Sequence, residues 1–342
     1  MVSTNVAVTG ASGLLGQRLL PLLDAPGIDR IVGLDVRDPA RRTRRFQFHR
    51  VDIAGSDLRP LLDGVDTVVH LAAIVGALPD ESLMTRVNVE GFRNVLSAAS
   101  AVGVRKVVRA SSAAVYGAWP NNPVPLSEDA PLRPNPGYTP AAHDAECERA
   151  LAEWEAERAG RIATRLRIAP VVGPGAQTLF ANAVVGHPPV VVRGAAPPVQ
   201  VVHVDDAATA LALATRDDVD GAYNVAADGW ISHDDALALS TRRPPPGLPY
   251  EAAQRFLRAL WATGIGDAPP SVLPYLVHPW VVANDRIKRA GWAPSHTNEE
   301  AILLASPVDS NPLPWAAAVG AVLAGMGATT WWLTRRHRRH AA

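Results

Sequence analysis

Short apolar runs alternate with longer mixed segments along the first half of the 342-residue chain. The runs have the length and β-branched content of buried strands, and the segments between them have helical periodicity. The predicted strands are Asn5–Thr9, Arg30–Asp35, Phe46–Val51, Thr67–His70 and Lys106–Ala110. The predicted helical segments include Leu14–Leu23 and Leu83–Val102. Strands and helices alternating at this spacing predict an α/β fold, a Rossmann-type doubly wound parallel sheet.

The second half of the chain has a less regular pattern. A loop rich in Pro and Asn over residues 118–137 precedes a helical pattern over about 141–159, and an apolar stretch from residue 163 predicts a sixth strand. We therefore predict a Rossmann domain over residues 1–170. Residues 171–310 should form mainly a smaller lobe, interleaved with the Rossmann sheet.

Composition excludes several classes of function. Basic and acidic side chains balance at 33 each, and no basic patch interleaved with aromatic residues suggests a nucleic-acid partner. The single cysteine, Cys147, excludes a disulfide framework and a CxxC metal site. We predict no metal centre.

The C-terminal part has a different pattern. Residues 313–334 are uncharged and contain three tryptophans near their ends, and residues 335–342 form a basic tail. As a helix this stretch would be about 33 Å long, enough to span a hydrocarbon core of roughly 30 Å. We predict an apolar helix that is a transmembrane or membrane-surface segment; the alternative is a helix packed on the protein itself or in a homodimer. Because the N-terminus has no signal-peptide pattern, the globular part should be cytoplasmic, and this helix could attach it to the inner face of the membrane.

A glycine-rich loop, TGASGLLG over residues 9–16, lies between the first predicted strand and the first predicted helix. Gly10, Gly13 and Gly16 have the spacing that allows a tight turn, close backbone approach to a pyrophosphate and helix–strand packing. Asp35 follows 19 residues after Gly16, where a carboxylate can accept the ribose 2′-hydroxyl. The carboxylate favours NAD over NADP, although Arg37 and the arginines of residues 41–45 leave NADP open.

Several motifs now resemble those of the extended short-chain dehydrogenase/reductases, including the NAD-dependent epimerase/dehydratases. The resemblance covers about residues 4–305, through TGASGLLG, HLAA at 70–73, SSAAVYG at 111–117, and the later VVHVDDAATA and GAYNVAADG. It implies that NAD is the cofactor. The residues that it places around NAD are Gly10, Ser12, Gly13, Leu14, Leu15, Gly16, Asp35, Asp52, Ile53, Leu71, Ala72, Ala73 and Asn88.

The resemblance also implies a catalytic Ser, a Tyr, and a Lys four residues after the Tyr on the same helix face. Ser112 occupies the Ser position. If Tyr138 is the family Tyr, the Lys position holds Ala142; if the later residues of the helix set the alignment, the two positions hold Pro140 and Asp144. The Lys is absent in both alignments, so the cation that lowers the pKa of the Tyr is missing unless a protonated His143 replaces it.

Two functions are therefore expected. The first is an oxidoreductase or epimerase of this family, with weakened or altered catalytic residues, acting on a small polar or nucleotide-sugar substrate. The second is a non-enzymatic NAD-binding sensor or membrane-tethered scaffold. The family resemblance favours the first, and the missing Lys favours the second.

Overall fold

A computed structural model describes residues 4–185, 188–216, 218–239, 246–264 and 266–305. Within these ranges seven strands form one parallel sheet in the order β3-β2-β1-β4-β5-β6-β9, and β7 and β8 form a separate parallel pair. The strands are β1 Thr4–Thr9, β2 Ile28–Asp35, β3 Phe46–Arg50, β4 Thr67–His70, β5 Lys106–Ser112, β6 Ile162–Ile168, β7 Val171–Val172, β8 Val202–His203 and β9 Gly221–Val225. This architecture confirms the predicted Rossmann-type parallel sheet.

Helices cover the sheet and build the smaller lobe. They are α1 Leu14–Leu23, α2 Arg59–Leu62, α3 Glu81–Thr85, α4 Gly91–Val102, α5 Thr139–Ala156, α6 Leu179–Val184, α7 Val204–Ala214, α8 His233–Leu239, α9 Tyr250–Ala262, α10 Asp285–Arg289 and α11 Asn298–Leu304. Short 3₁₀ segments add Ala113–Tyr116 and Pro270–Leu276.

The central strands β1 and β4 are mostly apolar because both faces of the sheet are buried. Val6 and Val8 of β1 lie in one hydrophobic cluster, which includes residues of α1 and α7. Ala7, between them, lies in a second cluster with residues of α4 and α5. Successive strand residues point to opposite faces, so a strand covered on both sides has no exposed positions left for polar residues.

The predicted helix over Leu83–Val102 is interrupted in the structure. Arg86–Glu90 forms a π-helical turn between α3 and α4. Inside it, the side chain of Asn88 accepts a hydrogen bond from Ile74 N at 2.8 Å and donates one to Ile74 O at 3.0 Å. The Cys147 thiol donates to Asn88 O at 3.2 Å. Both the side chain and the backbone carbonyl of Asn88 therefore form tertiary hydrogen bonds. Single-turn π segments inside helices often occur at functional sites.

Strand β9 shows how the two halves of the chain interpenetrate. Strand β9 begins at Gly221, well beyond the domain boundary predicted at residue 170. It nevertheless pairs with Thr164–Ile168 of β6 in the main sheet. The division at residue 170 remains a prediction. The segments predicted over 313–334 and 335–342 lie outside the described residues, and the helices within the described ranges are too short or too polar to cross a membrane.

Candidate cofactor-binding and catalytic site

The loops with candidate residues meet at one edge of the sheet. From β1 the chain crosses to β2 on one side, and it later returns to β4 on the other side of β1. The order of the strands therefore reverses at β1, which opens a crevice at the carboxyl ends of β1 and β4. The ends of β2 and β5 flank this crevice, and they contribute Asp35 and Ser112 respectively.

The glycine loop is folded against its neighbours too closely for side chains. Gly10 has φ +70°, and a Cβ there would lie 2.6 Å from the backbone nitrogen of Ala72. A Cβ at Gly16 would lie 2.4 Å from the carbonyl oxygen of Gly10. Helix α1 begins directly after Gly13, and no side chain caps it. The N–H groups of Leu14 and Leu15 at the start of this helix, and its positive dipole end, are therefore not occupied by a capping side chain.

Asp35 is held against this loop. Its Oδ2 accepts a hydrogen bond from Ser12 N at 2.9 Å, and its Oδ1 accepts one from Arg37 N at 3.0 Å. Each carboxylate oxygen keeps a lone pair for a hydroxyl donor. The nearby arginine Arg45 pairs instead with Asp24 at 2.9 Å, and Arg50, which lies opposite Asp35 in β3, forms an ion pair with Asp38.

Asp52 and Ile53 follow β3. Asp52 accepts from Ala54 N at 3.0 Å and forms an ion pair with Arg86 of the π turn, while Ile53 is buried. The segment Leu71–Ala73 follows β4, and Leu71 N donates to the carbonyl oxygen of Thr9 at 3.0 Å. The structure thus brings the candidate residues of four loops to one edge. Their contact with a cofactor remains a prediction.

Ser112 ends β5 at the same edge. It is half-buried, and its Oγ accepts from Ala114 N at 3.1 Å, which leaves its hydroxyl proton free to donate. The preceding residue, Ser111, points away and donates to Glu148 Oε1 at 2.6 Å. Of the two serines, only Ser112 therefore has a hydroxyl that could donate a hydrogen bond to a substrate oxygen.

Beneath Ser112 lies a buried network that the motifs did not predict. Arg167 Nη2 donates to Glu148 Oε2 at 2.8 Å, and Arg167 Nη1 donates to the Tyr116 hydroxyl at 2.8 Å. That hydroxyl donates to Asn224 Oδ1 at 2.7 Å. Burial raises the pKa of Tyr116 to about 12. Tyr116 and Asn224, which belong to family-like motifs, therefore act here as structural links between β5, β6 and β9.

Helix α5 distinguishes the two possible alignments of the Tyr/Lys pair. Asp144 accepts from Arg109 Nη2 of β5 at 2.7 Å, and Cys147 and Glu148 on the same face also contact the sheet side. Ala142 is exposed. Position 144 therefore faces the sheet and position 142 faces solvent, a geometry that favours Pro140 and Asp144 as the residues in the Tyr and Lys positions.

Tyr138 lies at the N-terminal end of α5 in an aromatic cluster. Its ring centroid is 4.9 Å from that of Tyr275 and 5.9 Å from that of Phe180. Burial raises the pKa of the Tyr138 phenol well above its usual value. A buried phenol with a raised pKa is a poor proton acceptor at neutral pH. The catalytic role of Tyr138 remains a prediction.

A buried ion pair lies where the family cation was expected. The side chain of Arg109 is 1% exposed, and its guanidinium carbon lies 4.7 Å from the centre of the Phe92 ring. Burial raises the pKa of Asp144 to about 6, although Arg109 acts in the opposite direction. The sequence signal for this pair was Arg109 itself, because a charge inside an apolar strand requires a partner. Within the described residues, no group of His, Cys, Asp and Glu side chains could hold a metal ion.

Together the parallel sheet, its crevice and the glycine loop define a Rossmann-type α/β protein. The family model described as the NAD dependent epimerase/dehydratase family matches residues 6–226. The chain belongs to this family.

Known relatives agree with this assignment. An uncharacterized protein of Mycobacterium tuberculosis is 32% identical over 254 residues, which are 70% of this chain and 67% of the relative. A 3-diazoavenalumate denitrifying reductase of a Streptomyces species is 30% identical over 321 residues, which are 85% of this chain and 96% of the reductase. A Thermus thermophilus UDP-glucose 4-epimerase, solved in complex with NAD, is similar with a TM-score of 0.67 and 26% identity, covering 88% and 97% of the two chains.

Proposed function

We propose that this protein binds NAD(H) at the crevice between β1 and β4. The main support is the start of α1, which no side chain caps. The glycine loop before it packs against the backbone of residues 71–72, and Asp35 is hydrogen-bonded to the N–H of Ser12 in this loop. In this proposal the N–H groups of Leu14 and Leu15 face the pyrophosphate, and Asp35, held by the N–H of Ser12, accepts the ribose hydroxyls. Bound NAD(H) would donate or accept a hydride.

For the chemistry we propose an oxidoreductase with altered catalytic residues. Ser112 donates a hydrogen bond to the substrate oxygen, and no Lys at position 142 or 144 lowers the pKa of a phenol. Proton transfer to or from an alcohol should therefore be slow, since a positioned acid or base typically contributes about 10²–10⁴-fold to such a step. The Streptomyces relative, a reductase that this chain matches over nearly its whole length, supports this assignment.

A second candidate is a protein that binds NAD without turnover. The Arg109–Asp144 pair favours it, because a carboxylate already paired with a buried guanidinium replaces the expected ammonium. Both candidates share the NAD site and differ in turnover.

We expect Asp35→Ala to weaken NAD binding by about 1–3 kcal/mol, because the ribose hydroxyls lose their acceptor. The same change should narrow the preference for NAD over NADP, since the carboxylate that repels a 2′-phosphate is gone. Isothermal titration calorimetry with both dinucleotides measures the two effects.

Asp38→Ala is the matched control, because Asp38 lies three residues away and its side chain is 61% exposed in an ion pair with Arg50. It should leave both affinities unchanged. Tighter binding of NADP than of NAD by the wild-type protein would contradict the role of Asp35.

Wild-type protein should reduce NAD slowly or not at all with alcohols and nucleotide sugars, and rebuilding the Tyr/Lys pair should raise the rate. The variant combines Pro140→Tyr and Asp144→Lys with Arg109→Phe. The third change is required because a new ammonium would otherwise lie beside the buried guanidinium of Arg109. NADH formation, followed by absorbance across a substrate panel, measures the gain.

Ala142→Lys, which completes the alternative alignment on Tyr138, is the control and should add no activity. Activity gained by Ala142→Lys but not by the triple variant would reverse the assignment of positions. Rapid wild-type turnover that Ser112→Ala abolishes would show that the family pair is dispensable.

A further inference from the structure

A cavity opens beside the end of β5, in the lobe formed by α6, α8 and the Pro270–Leu276 segment. Its volume is about 970 Å³ including its open mouth. Ala113, the residue after Ser112, forms part of its wall. The cavity therefore lies beside the proposed reaction site, and like many ligand sites it is concave and mostly apolar.

Three aromatic rings form one side of this cavity. Phe180 lies 5.6 Å from Tyr275 and 4.9 Å from Trp280, measured between ring centroids, and Tyr275 lies 5.4 Å from Trp280. Tilted rings at these spacings leave faces and edges that suit a further aromatic ring. Much of the remaining wall is small or flat, and includes Ala183, Val190, Val199, Pro197 and Pro198.

Besides His233, three of the described side chains in the wall carry polar atoms, and each of them already has a partner. Gln200 accepts from Val282 N at 2.8 Å and donates to Gly229 O at 2.8 Å. The Tyr275 hydroxyl donates to Ala114 O at 2.9 Å, and Trp280 Nε1 donates to the carbonyl oxygen of Tyr275 at 3.0 Å. Gln200, Tyr275 and Trp280 therefore present mainly apolar surface to a ligand in the cavity.

No Lys, Arg, Asp or Glu is present among the described residues that line the cavity. A diphosphate taken into such a site would lose its hydration without gaining charged partners, which is strongly unfavourable. Arg193 lines the adjoining shallow cleft and its side chain is exposed. Among the described lining residues only His233 can carry a positive charge, which is less than the paired cations that usually bind a nucleotide diphosphate.

We propose that this cavity binds an aromatic small molecule without phosphate groups, which presents its reacting carbon to NAD(H) beside Ser112. The proposal rests on the NAD(H) function above and changes the expected substrate class from nucleotide sugar to aromatic compound. The ring would pack against Phe180, Tyr275 and Trp280, with its polar substituent toward Ala113 and the Ser112 hydroxyl.

The test is calorimetric titration of the full-length protein, saturated with NAD, with three probes. Cinnamyl alcohol is the aromatic probe, 3-cyclohexylpropan-1-ol is its saturated analogue, and UDP-glucose is the nucleotide sugar. Cinnamyl alcohol should bind about threefold to tenfold more tightly than the saturated analogue, the contribution expected of ring–ring contacts beyond burial. UDP-glucose should bind at least about tenfold more weakly than cinnamyl alcohol.

Variants locate the binding. Ala183→Trp should fill the cavity and abolish cinnamyl alcohol binding, and Trp280→Leu should weaken it about tenfold or more. Trp230→Leu, the same change at an exposed tryptophan outside the wall, and Arg193→Ala should leave it unchanged. Thermal unfolding of each variant shows whether the fold is retained.

The outcomes separate this proposal from the NAD proposal. Protein that binds NAD but prefers UDP-glucose, or that does not bind cinnamyl alcohol at millimolar concentration, would overturn the aromatic substrate and leave NAD binding intact. Equal binding of the two alcohols, or binding unaffected by both Ala183→Trp and Trp280→Leu, would also overturn it. A separate titration without NAD present beforehand tests the cofactor, and failure there refutes the NAD function itself.

Discussion

Glu148→Ala should lower the free energy of unfolding by about 3–5 kcal/mol, one of the two largest effects that we expect in this protein. The change leaves the guanidinium of Arg167 without its carboxylate, and the side chains of this pair are only 3% and 8% exposed. Removing one member of a buried ion pair leaves an uncompensated charge in a medium of low polarity. Burial is the largest single influence and acts to lower the pKa of Arg167, but the hydrogen bonds and charge of Glu148, together with Tyr116, raise it overall. Denaturant unfolding followed by circular dichroism measures the loss.

Glu146→Ala provides the control on the same helix. Glu146 pairs with Arg93 at the surface, where the two side chains are 37% and 62% exposed, so its loss should cost below about 1 kcal/mol. Replacing both buried partners, as Glu148→Leu with Arg167→Met, should recover much of the stability lost in the single variant. Equal costs for Glu146→Ala and Glu148→Ala would show that the buried network contributes little.

Gly10→Ala should have the other large effect, with loss of at least about tenfold in NAD affinity, equivalent to about 1.4 kcal/mol. An L-residue at φ +70° costs roughly 1–2 kcal/mol, and the new Cβ would overlap the backbone of Leu71 and Ala72 at 2.6–2.7 Å. The glycine loop must then move away from β4, which displaces its N–H groups from the pyrophosphate. We expect the free energy of unfolding to fall by about 2–5 kcal/mol, since overpacking adds about 1–3 kcal/mol to the backbone strain.

Gly27→Ala isolates the contribution of this close contact. Gly27 has φ +96°, but no atom lies within 4 Å of the position that a Cβ would occupy there, and it precedes β2 at the opposite end of the strand from Asp35. This variant should show the backbone strain alone and keep its NAD affinity. A Gly10→Ala protein that binds NAD as tightly as Gly27→Ala would show that the loop does not hold the cofactor.

Much of the fold was predictable because its signals are local. A strand buried on both faces is mostly apolar, so short runs of valine and alanine were enough to predict β1, β4 and β5. The glycine loop was predictable for a similar reason, because a tight turn followed by a helix start needs glycine at set spacings. The predicted helix α1, Leu14–Leu23, has the same bounds in the structure.

Other features depend on contacts between distant parts of the chain. The π turn at Arg86–Glu90 interrupts a pattern that predicts one helix, and it accompanies the contacts of Asn88 with Ile74 and Cys147. Strand β9 joins the main sheet through pairing with β6, which no local pattern indicates. The cavity beside Ser112 is formed by segments more than 100 residues apart, so its apolar character could not be seen along the chain.

The sequence by itself determined the Rossmann-type fold, the glycine loop with Asp35, and the absence of Lys at positions 142 and 144, because each is a property of a short segment. Tertiary structure decided which of these two positions faces the sheet. It paired Arg109 with Asp144 and Glu148 with Arg167, and it gathered the aromatic side chains of Phe180, Tyr275 and Trp280 around one cavity. The physical reason is that a buried charge or an apolar wall is defined by its partners, and in a parallel sheet those partners come from strands and helices far apart in the chain.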